Sequence, residues 1–126
     1  MLRTAPLLLA LALTAGCASV SVQSEPSAPQ RSAEQLAEAG QHAEAAQAWT
    51  QVADAGRGSA RDRAWLQAAE QARLAGEPEH MRAAWSQSNR RRLEGNDTWR
   101  HDLIGAQLQV EAGRAEQALA LLSRPA

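Results

Sequence analysis

The chain has 126 residues with 13 basic and 14 acidic side chains, a single cysteine, four tryptophans, and neither phenylalanine nor tyrosine. A net charge near zero argues against a dedicated nucleic-acid or anionic-lipid binder, and one cysteine excludes an internal disulfide framework. Alanine dominates, lysine is absent and β-branched residues are scarce after position 22, so an all-α chain is expected.

The first residues read MLRTAPLLLALALTAGC: Arg3 supplies a positive start, Ala5 to Leu13 an apolar run, and Ala15 and Gly16 a small-residue approach to Cys17. The run is shorter than the ~20 residues that span a bilayer as a helix, and the three-part pattern is that of a secretory signal. Its end, Ala-Gly-Cys, resembles the lipobox of bacterial lipoproteins, although Thr14 stands where that motif favours leucine. The resemblance implies a signal peptide over 1–16 and lipidation of Cys17, with more than one acyl chain as stable anchoring requires. Ala18 after the cysteine, rather than Asp, implies the outer membrane, with the protein facing the periplasm.

Residues 18–31, ASVSVQSEPSAPQR, are rich in Ser, Pro and Gln and are expected to form, with Cys17, a disordered tether over 17–31. A helical domain is expected over 32–126. Three Ala-Gly pairs, Ala39-Gly40, Ala75-Gly76 and Ala112-Gly113, recur at spacings of 36 and 37 residues. Nine residues after each glycine stands Trp49, Trp85 or Leu122, and seven before it Ala33, Ala69 or Ala106; Leu66 and Leu103 precede the second and third by ten. The glycines suit left-handed helix ends, Pro78 suits a first helical turn, and Asp97 is the expected N-cap of the helix that follows. The leading helix of the first copy is expected to be short, Ser32 to Ala39. Trp99, Leu103, Ala106 and Val110, at i, i+4, i+7 and i+11, share one helical face.

The unit is helix, tight turn, helix, and it resembles the tetratricopeptide repeat, usually 34 residues long. About three antiparallel hairpins in a short solenoid are expected. Repeat stacks end on polar helices, so the apolar ending LALLSRPA predicts a chain cut short or a face that takes a partner, truncation being the expectation.

Chemistry is sparse. His42 and His80 fall in turns and are read as solvent-exposed, and His101 begins a helix beside Asp102. No HExxH, GxSxG or phosphate-cradling loop is present, so neither enzyme, metal nor cofactor is expected. Arg90, Arg91 and Arg92 form the densest charge cluster; they are expected to end the second-copy helix and complement its dipole, or else to meet an acidic partner. With Trp65 and Trp99, they are the candidate partner-binding residues.

The segments AWLQAAEQARLAGE and LIGAQLQVEAGRAEQALALLSR resemble the N-terminal helical domain of the penicillin-binding protein activator lipoproteins. In that family a larger domain follows the helical one, and residues 1–126 are expected to correspond to the N-terminal helical piece alone. The resemblance implies a non-catalytic lipoprotein that regulates peptidoglycan synthesis by binding a bifunctional peptidoglycan synthase. The alternative is a scaffold lipoprotein for envelope or outer-membrane protein assembly.

Overall fold

The structure, a computed structural model, describes residues 25–125. The expected signal peptide, Cys17 and the first part of the expected tether lie outside the described residues. Six α-helices and no strand are found among those described: α1 (Ala28–Glu38), α2 (His42–Ala55), α3 (Gly58–Leu74), α4 (Pro78–Gln87), α5 (Asn96–Glu111) and α6 (Ala115–Leu122). A single 3₁₀ turn, Arg90–Arg92, lies between α4 and α5. No helix among the described residues is long and apolar enough to cross a membrane.

The three Ala-Gly pairs end three helices by one mechanism. Alanine is the C-cap in each, and Gly40, Gly76 and Gly113 follow at φ of 75°, 71° and 74°. The glycine N–H donates to the carbonyl of Ala37, Arg73 or Val110, and the next N–H donates to that of Leu36, Ala72 or Gln109. This is the Schellman pattern, which satisfies carbonyls that a helix end leaves open. The chain then re-enters a helix almost at once, giving three hairpins: α1–α2, α3–α4 and α5–α6. Pro78 occupies the first position of α4, as the sequence predicts.

Two boundaries differ from expectation. Helix α1 starts at Ala28, so residues 28–31 are helical rather than tether. Ser27 Oγ accepts from the Gln30 N–H at 3.3 Å while Gln30 Oε1 accepts from the Ser27 N–H at 2.8 Å, a reciprocal capping box. Pro29, which reads as a tether residue, is tolerated there because the first turn needs no amide donor. Helix α5 is capped by Gly95 rather than Asp97, which sits within the first turn and favours the positive end of the helix dipole.

The core is built of small residues around a few large ones. Ala33, Ala46, Ala53, Ala68, Ala69 and Ala72 are wholly buried, and Trp49, Trp65, Leu66, Met81, Ile104 and Leu108 fill the space between. Alanine at the crossings lets helices approach closely, and Leu66 and Met81 are the largest side chains buried outright. Helix α3 is central, packing on α2, α4 and α5.

Candidate functional site

An apolar concavity lies along α5, with α6 on one side and the C-terminal half of α3 on the other. Its volume is about 570 Å³. Leu103, Ile104 and Val110 form its floor together with Ala106, Leu119 and Leu122 stand on the α6 wall, and Glu70, Arg73 and Arg100 mark the opposite rim. Arg100 Nη1 lies 3.7 Å from Glu70 Oε2.

Periodicity produces this stripe. Leu103, Ala106 and Val110 fall on one side of α5, as the sequence predicts, but that side is buried only at Ala106 and open at Leu103 and Val110. Trp99 is 59% exposed and Leu103 42% exposed. The buried residues of α5 are Thr98, His101, Asp102, Ile104, Gly105, Ala106 and Leu108, so Ile104 and Ala106 belong both to the core and to the base of the groove. Polar groups can be buried there because each has a partner within the fold. Thr98 Oγ1 donates to the Leu93 carbonyl at 3.1 Å, and His101 Nε2 donates to the Ser88 carbonyl at 3.1 Å. Asp102 accepts twice from Arg90 Nε, at 2.8 and 3.0 Å.

The arginine triplet belongs to this second arrangement, a polar clamp between the α4–α5 connection, α3 and α5. Helix α4 ends at Gln87, so the arginines do not complete its last turn; they form their own 3₁₀ turn, opened by Asn89, whose Oδ1 accepts from the Arg91 N–H at 3.0 Å. Arg90 is spent on Asp102 and on the Pro125 carbonyl at 2.9 Å. Arg92 lies 3.6 Å from buried Asp62 Oδ2, while Asp62 Oδ1 accepts from the Asn89 N–H at 2.9 Å. Only Arg91 is left exposed without an ion pair described for its side chain. Arg90 thus ties the connection to α5, while Arg91 and Arg92 remain exposed.

Trp65 is buried in the core and is corrected from partner shelf to packing residue. Trp99 is exposed one turn before Leu103. The turn histidines are half-buried and bonded, contrary to the solvent-exposed expectation. His42 Nδ1 is 2.7 Å from Gln71 Oε1, and His80 bridges Thr50 Oγ1 at 3.0 Å and Glu77 Oε2 at 3.2 Å. The groove itself escaped the residue reading, because an apolar stripe looks the same whether or not another helix covers it.

Ser88, His101 and Asp102 lie close together but are not arranged for nucleophilic catalysis. The Ser88 hydroxyl donates to the Asp62 carbonyl at 3.0 Å, and the imidazole meets the Ser88 carbonyl rather than its hydroxyl. Burial pushes the His101 pKa below its ordinary value, against the opposing pull of the Ser88 carbonyl and the Asp102 carboxylate. Among the described residues no group of three or more His, Cys, Asp or Glu side chains is placed to hold a metal ion. No protein-family model, curated protein or solved structure matches the chain.

Proposed function

We propose that this chain is a lipid-anchored adaptor of the bacterial envelope that binds a protein partner through the α3/α5/α6 groove. The observation that carries the reading is the uncovered apolar stripe of Leu103, Val110, Leu119 and Leu122 on an otherwise closed helical core. Contiguous exposed apolar surface of this kind is characteristic of interaction sites. Cys17 is the lipid attachment point, the outer membrane is the site of anchoring, and the groove faces the periplasm. The partner is a bifunctional peptidoglycan synthase, in keeping with the resemblance to the activator lipoproteins, and the role is regulatory rather than catalytic.

We further propose that the hairpins are tetratricopeptide-like. Five residues after each turn glycine stands a buried residue, Ala45, Met81 or Ala118, and four further on Trp49, Trp85 or Leu122. This is the spacing of a small and a bulky residue in the second helix of that repeat, with Met81 the departure.

The test has two parts. Cys17→Ser is expected to abolish palmitate labelling and release the protein from the membrane fraction; retention at unchanged mature mass would show the anchor to be wrong. In the second, cross-linked envelopes of the producing cell are purified on the tagged full chain and on its Leu103→Glu/Leu119→Glu variant. The adaptor reading expects a peptidoglycan synthase with the first and none with the second. Recovery of assembly-machine subunits alone supports the scaffold alternative.

A further inference from the structure

Helix α3 packs broadly on α2, whereas α5 meets α4 through a narrower contact centred on one residue. The His101 carbonyl accepts from Trp85 Nε1 at 2.8 Å, and its ring stacks on the indole with centroids 4.9 Å apart. On the other side, Nε2 meets the Ser88 carbonyl at 3.1 Å. A carbonyl only accepts, so Nε2 carries the hydrogen and the neutral ring is the Nε2–H tautomer. Nδ1 is then a bare lone pair, buried and without a hydrogen-bond partner among the described residues. Any proton the ring gains must go there. Asp102 Oδ1 stands 3.7 Å from it, beyond hydrogen-bond length.

That carboxylate is already engaged. Both its oxygens accept from Arg90 Nε, at 2.8 and 3.0 Å, and this pair ties the α4–α5 connection to α5. The other elements around the ring bring no free counter-charge to it. Helix α4 presents the uncharged indole, and α6 brings Leu121 beside Gly105. From α3, Asp62 Oδ1 accepts from the Asn89 N–H while its Oδ2 faces Arg92, and Glu70 is paired with Arg100. With the ring neutral, one cation, Arg90, faces one carboxylate. A proton on Nδ1 sets two cations against that carboxylate in a setting that screens them poorly. The imidazole is 8% exposed and pinned between Trp85 and the Ser88 carbonyl, whereas the Arg90 side chain is 26% exposed, with water to move into. The guanidinium is the cation that yields.

We infer that the chain carries a proton-operated latch, in which protonated His101 takes Asp102 from Arg90 and frees the α4–α5 connection from α5. The bond gained runs from Nδ1–H to Asp102 Oδ1, and the bonds lost are those from Arg90 Nε. The proton comes from solvent and ends on Nδ1; no covalent bond breaks. Burial holds the ring neutral below its ordinary value of about 6.5, so the exchange belongs to acidic conditions beneath that value. The latch depends neither on the adaptor reading nor on what covers the groove.

The test is a pH titration of the ¹⁵N-labelled full chain in detergent micelles, followed by NMR. Three signals are read: the His101 ring nitrogens, the Arg90 Nε–H, and amide exchange at Arg92 and Leu93. Those two amides donate to the Asn89 and Arg90 carbonyls within the 3₁₀ turn. Neutral His101 is expected as the Nε2–H tautomer. On acidification the Arg90 Nε–H is expected to lose its slow exchange at the midpoint of the ring. The two amides are expected to lose about tenfold in protection, corrected for intrinsic rates, while those of Trp49 and Leu66 keep theirs. His101→Gln keeps a donor toward Ser88 but takes no proton, so its Arg90 signal is expected to persist over the same range. An Nδ1–H tautomer, or a ring that titrates while Arg90 keeps its bond, overturns the inference. So does a ring still neutral when acid unfolds the chain, a loss that persists in His101→Gln, or protection that falls equally in α2 and α3. If the variant does not fold, coincidence of the two wild-type midpoints decides alone.

Discussion

Gly105 carries no side chain in the middle of α5, where alanine would ordinarily be the better helix former by about 1 kcal/mol. The reason is Trp85. A Cβ at position 105 would stand 2.6 Å from the indole Cζ2 and 3.2 Å from a Leu121 methyl. The indole has little freedom to yield, because its Nε1 donates to the His101 carbonyl at 2.8 Å and its ring stacks on the imidazole at 4.9 Å. Overpacking costs ~1–3 kcal/mol, so it outweighs the propensity gain. Gly105→Ala is expected to destabilise by up to about 2 kcal/mol in urea unfolding; a gain in stability would mean that Trp85 moves freely. His101 sets a pH dependence. Its folded pKa is depressed, chiefly by burial, so the unfolded chain binds the proton more readily. Stability from this group is complete above the ordinary value of about 6.5 and falls as pH drops below it. The loss levels off beneath the depressed folded value. His101→Asn is expected to flatten the fall of thermal midpoint between pH 7 and pH 5; an unchanged slope would assign the acid sensitivity to other groups.

At the scale of elements, one turn is used three times. An added Cβ at Gly40, Gly76 or Gly113 meets nothing within 4 Å. The cost of a side chain there is conformational, because an L-residue disfavours positive φ by about 1–2 kcal/mol. Gly76→Ala is expected to lower stability by about 1 kcal/mol, and D-alanine, installed by chemical synthesis, to remove the loss. If D- and L-alanine destabilise alike, the turn depends on something other than its backbone conformation. These helix ends were legible in the sequence because their cause is local: a left-handed residue and its two hydrogen bonds involve one turn of chain. The start of α1 was legible in principle too, in Ser27 and Gln30, but the surrounding Ser-Pro composition masked it. The end of α4 was not. The arginines leave the helix for partners on α3 and α5, and no local pattern announces Asp62 or Asp102 as those partners.

At the scale of the whole molecule, large apolar residues on second helices have different consequences according to what lies over them. Trp49 and Leu119 are both large apolar residues on second helices. Trp49→Ala is expected to cost ~3–5 kcal/mol, because it empties a filled site beneath α3. Leu119→Gln is expected to change stability by no more than ~0.5 kcal/mol, because its side chain faces solvent. Denaturant midpoints measured side by side test this contrast. A large loss at Leu119 would show that the groove wall supports the fold and is not held open for a partner.

Sequence alone determined the all-helical class, three helix ends, the hairpin pairing and which residues share each face. Helix propensity, glycine conformation and the 3.6-residue period act within a few turns of chain, so one sequence suffices to read them. Tertiary structure decided which face of α5 is core, that Trp65 is packing, and that Arg90 and Arg92 close a connection. It also decided that Leu103 and Val110, whose shared face the helical period predicts, line a groove. Burial is a property of what covers a surface, and that depends on residues distant in the chain.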